Sequence, residues 1–128
     1  MVLAAGPSIE KDRDKIIKYY RQFKPTTFTS NQNMGVVNID YLIFIDNKIF
    51  TANIDRVITK NLVIGTKIIW GKRLQVKNKQ VYRLDYKHQK NENVNEIKIK
   101  SNGKIMHMMG NSGFAAIFTS MFFSPKEI

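Results

Sequence analysis

The side chains best suited to acid–base chemistry are the chain's two histidines, His88 and His107, because imidazole titrates near neutral pH. On an RNA substrate one could take the 2′-hydroxyl proton while the other protonates the leaving oxygen, with Lys98 or Arg83 against the phosphate. That would be an RNase-like toxin. The spacing does not bring the pair together: His88 ends a strand-like run that enters the polar stretch Lys87 to Asn95, and His107 lies in a separate C-terminal hairpin pattern. Other chemistry is poorer still. The carboxylates are scattered and no HxH, HxxxH or HExxH spacing occurs, so neither a metal nor another cofactor is expected. The absence of cysteine excludes a thiol nucleophile, a disulfide framework and a Cys-based zinc site. Backbone amides in Gly110-Asn111-Ser112-Gly113 could hold an anion. The segment lacks the Gly-Lys-Ser/Thr ending of a phosphate loop and the Gly-x-Ser-x-Gly of a nucleophile elbow, and it reads as a turn into the last element.

What the chain has in excess is positive charge: 21 Lys and Arg against 10 Asp and Glu, a formal +11, with a pI near 10.0. A field of that sign attracts polyanions. The excess is concentrated between residues 61 and 105, where eleven basic residues face three acidic ones. There, basic residues alternate with apolar ones, as in Arg73-Leu74-Gln75-Val76-Lys77 and Tyr82-Arg83-Leu84. In strands with one wet face, alternation gathers Arg73, Lys77, Arg83, Lys87, Lys98 and Lys100 on the solvent side. This basic sheet face is the expected nucleic-acid-binding surface. Aromatic support for base stacking is thin, since Tyr82 and Tyr86 fall on the inward face and Trp70 sits beside Gly71 in a run apolar on both sides. Contact with RNA, the polyanion expected, is then mostly electrostatic and salt-sensitive. The same lysines have a plainer use in keeping exposed strand edges from pairing with other chains.

The elements that must carry these residues follow from period and punctuation. Residues 8–24 read as an amphipathic helix: Ile9, Ile16, Ile17, Tyr20 and Phe23 share one stripe, Ser8 is placed to cap it and Pro25 ends it. Thr26 to Asn33 is a polar connector. From 34 to 109, short β-branched and aromatic runs alternate with Asn, Gly, Asp and Lys, the pattern of an antiparallel sheet of five to seven strands. Val36 to Ile45 is its most hydrophobic run and its central strand. Asp46-Asn47-Lys48 turns the chain back into Ile49 to Ile54, Gly65 and Gly71 mark a bulge or bend, and Asn102-Gly103 closes a hairpin that sets Ile99 opposite Met106. Residues 110–128 form an apolar C-terminal element, a short helix or strand. No internal repeat or linker is evident, and 128 residues suit a single domain, 1–128.

The fold class expected is therefore α+β, an N-terminal helix packed on a strongly curved antiparallel β-meander; the alternative is a small β-barrel capped by the helix. This order of elements is similar in layout to cystatin-like and nuclear transport factor 2-like scaffolds, which implies no function. Phe114, Phe118, Phe122 and Phe123 are more apolar surface than the domain needs and are expected at an interface, in a homo-oligomer or a larger assembly. Their run is too short to span a bilayer, and the first six residues lack the basic region of a signal peptide. The function expected is a non-enzymatic binding or assembly module whose basic face contacts RNA or another polyanion. A second reading is a component of a membrane-associated, viral or secretion assembly, with the basic face on acidic lipid and the Phe-rich tail on a partner. The RNase-like toxin is the third.

Overall fold

Two runs of consecutive apolar residues set the architecture. Leu42, Ile43 and Phe44 are wholly enclosed, and Leu62, Val63 and Ile64 nearly so. A strand enclosed on both faces must be covered twice, which suits a parallel sheet between layers of helix. The computed structural model describes residues 1–4, 6–32, 35–65, 68, 79–84, 86–88, 106–108 and 112–121, with the backbone alone at 83, 84, 86–88, 106–108, 114 and 118. Strands β1 (Val2–Leu3), β2 (Phe28–Ser30), β3 (Tyr41–Phe44), β4 (Asn61–Gly65) and β5 (Gln80–Leu84) pair in chain order, every pair parallel. Strands β6 (Tyr86–His88) and β7 (Met106–Met108) form a second parallel pair. Among the described residues four α-helices accompany the strands, α1 (Pro7–Lys11), α2 (Arg13–Phe23), α3 (Asn47–Asn53) and α4 (Ser112–Met121), with a 3-10 turn at Ile54–Arg56.

The fold is thus α/β, and this corrects both the antiparallel meander and the helix-capped barrel, together with the layout likeness drawn from them. The physical reason lies in the connections. Parallel neighbours need a crossover of a dozen or more residues, and the segment expected to be an antiparallel return strand, Ile49 to Ile54, belongs instead to such a crossover, most of it within α3. The Asp46 carboxylate accepts the amides of Lys48 at 2.8 Å and Ile49 at 3.0 Å, capping α3. Asp followed by Asn favours a turn for the same reason that it caps a helix, a side-chain oxygen closing on nearby amides, so the local signal does not separate the two.

The pleat sorts the core into two layers. Leu42, Phe44, Leu62 and Ile64 meet Phe50 and Ile54, while Phe28, Ile43 and Val63 meet Ala115 and Ala116 of α4. Alanines at that contact let the helix approach closely, and α4 packs on β1, β2 and β3. Leu3 lies in the same register row as Leu42 and gathers Ile9, Ile16, Ile17, Val36 and Ile39, which places α1 and α2 on the α3 side. Tyr41, Asn61 and Gln80 occupy one row, so successive strands β3 to β5 start about 20 residues apart, with Leu42, Leu62 and Val81 in the next row.

Several boundaries differ from expectation. The segment expected to be a polar connector contains β2; Thr27 just before it and Thr29 and Ser30 within it are buried. Burial is tolerated because the hydroxyls are used: Thr29 Oγ1 donates to the Leu3 carbonyl at 2.8 Å, and Thr27 Oγ1 accepts the Asp40 amide at 2.9 Å. The first helix is two helices meeting at Asp12, Gly6 rather than Ser8 is the N-cap, and Pro7 takes the first helical position. Helix α2 ends at Lys24, which is left-handed at φ 43°, before Pro25. Of the hairpin placed around Asn102-Gly103, β7 pairs in parallel with β6, and the remainder lies outside the described residues.

Candidate functional site

Among the described residues, Glu10, Asp12, Asp40 and Asp46 are engaged by the backbone or by close neighbours in the chain. Asp46 caps α3, and Asp40 accepts the Thr27 amide at 2.8 Å and lies 2.9 Å from Thr27 Oγ1. Among the described residues there are two ion pairs, Arg13–Glu10 at 3.5 Å and Lys15–Asp12 at 2.9 Å, each between residues three apart on the helical surface. The bond to Asp12 raises the Lys15 pKa and holds it cationic. Lys11, Lys18, Arg21, Lys24, Lys48, Arg56 and Lys60 have no carboxylate partner among the described residues and all are exposed. Over residues 1–60 nine basic residues stand against six acidic ones, so the charge carried by this part of the chain is a modest positive excess.

Lys79 is the exception among the cations. Its ammonium donates to the carbonyls of Val57 at 2.6 Å and Thr59 at 2.9 Å, pinning the loop between α3 and β4 to the start of β5. Burial without a carboxylate lowers its pKa from the usual lysine value. This charge is structural. An open cleft of about 380 Å³ at the amino ends of β3 and β4 is lined by Asp40, Thr59, Lys60 and Asn61 among others. Its carboxylate is occupied by Thr27, and the Asn61 amide is committed to the Asp40 carbonyl at 2.9 Å.

Among the described residues, exposed cations recur over the last two turns of α2 and its C-cap. Lys18, Arg21, Gln22 and Lys24 are exposed there, together with Tyr19 at 45% and Phe23 at 58%. The Tyr19 and Phe23 rings touch, with centroids 4.8 Å apart and planes tilted by 43°. The helical spacing puts Phe23 on the buried stripe, and the structure corrects this. The core beneath α2 is formed by Leu3, Ile9, Val36 and Ile39 and engages Ile16 and Ile17, while Phe23 in the final turn is exposed. Tyr82, also expected inward, is 37% exposed and leans on Tyr41 with centroids 6.0 Å apart.

Of the residues singled out from the sequence, Arg83 sits in β5 opposite Ile64 and Lys87 in β6 opposite His107. His88 pairs with Met108, so the two histidines occupy adjacent strands one register position apart. Arg73, Lys77, Lys98, Lys100, Phe122 and Phe123 lie outside the described residues, and Phe114 and Phe118 fall within α4. Ser112 opens α4 and its hydroxyl accepts Asn31 Nδ2 at 2.7 Å, a tie between the helix start and the end of β2. No group of three metal-ligating side chains occurs among the described residues, and no described helix is long and apolar enough to cross a membrane. No family model matches the chain, and comparison with curated proteins and with solved structures gives no match.

Proposed function

We propose that this protein is a non-enzymatic binding module for a polyanion, RNA above all. The observation that supports this most is the net +11 of the chain, with Lys18, Arg21 and Lys24 exposed and without a carboxylate partner among the described residues. A phosphate backbone neutralised by such free cations sheds its condensed counterions, and that release drives binding. The described part of the contact surface is Lys18, Arg21 and Lys24; the second-half cations Arg73, Lys77, Arg83, Lys87, Lys98 and Lys100 extend the same reading.

Fluorescence anisotropy with a labelled oligouridine of about 20 nucleotides tests it. Affinity should fall linearly with salt on a log–log plot, and K18Q/R21Q/K24Q should reduce the slope by about 2, at roughly 0.7 for each phosphate no longer neutralised. Absence of binding at about 50 mM salt, or binding indifferent to salt, would refute the proposal.

A further inference from the structure

We draw no further inference here: the strongest candidate, the open cleft at the amino ends of β3 and β4, is lined by Asp40 and Lys60, whose opposite charges single out no ligand class, and its carboxylate and Asn61 amide are already committed within the chain.

Discussion

Replacing Lys79 by methionine keeps the aliphatic stem and removes the ammonium that joins the α3–β4 loop to β5. Two carbonyls lose their donor, Val57 at 2.6 Å and Thr59 at 2.9 Å. Each charge-assisted bond contributes about 1.5–3 kcal/mol net, and the cost of burying an ammonium without a carboxylate offsets part of the pair, leaving an expected loss of about 2–4 kcal/mol. Against a total of about 5–15 kcal/mol for a domain of ordinary stability, such a loss moves the urea midpoint by an easily measured amount. K79R, which keeps charge and donors, should recover part of it. The pH dependence has a definite sign. Burial lowers the folded-state pKa below the usual 10.5, so between those two values the unfolded chain binds more protons and stability rises with pH. The difference between wild type and K79M should therefore grow as pH climbs through the folded pKa and level off above 10.5. A K79M protein within about 0.5 kcal/mol of wild type at neutral pH would show that the side chain does not hold this loop, and a difference that shrinks across that window would show that burial does not lower its folded-state pKa.

Two further outcomes test the architecture and a third the buried hydroxyl beside β2. Phe50 is wholly buried with its ring edge-on to Phe44 at 5.4 Å, so F50A should cost about 3–5 kcal/mol in chemical denaturation. Ala52 is exposed on α3, and A52K should change stability by less than about 0.5 kcal/mol; in a strand with Phe50 and Ile54 inward, residue 52 would be buried too, so a large loss there would contradict the helix. Thr27 is fully buried, its hydroxyl accepting the Asp40 amide and lying 2.8 Å from the Asn38 carbonyl. T27V should lower stability by about 1–3 kcal/mol in thermal melts and T27S by less, whereas a T27V protein as stable as wild type would mean that water replaces the hydroxyl.

Composition and local pattern determined a good deal about this protein. The net charge, the N-terminal amphipathic stretch with its stop at Pro25, the central place of the run around Leu42 to Phe44 and a C-terminal helix as one of two options were all legible, because each depends on residues close in the chain. Strand direction was not legible. Leu42-Ile43-Phe44 and Leu62-Val63-Ile64 are apolar at every position, which is what a doubly covered parallel strand requires, yet the same run suits the centre of an antiparallel sheet, and the Asp46 signal serves a turn and a helix cap alike. Only the tertiary structure decided between them, by bringing Phe50 and Ile54 over one face and Ala115 and Ala116 over the other, contacts between residues far apart in the chain. It decided the candidate site in the same way. The period of α2 says which residues share a stripe, but the cluster that engages Ile16 and Ile17 is built by Leu3, Val36 and Ile39 elsewhere in the chain, and Tyr19 and Phe23 are left exposed.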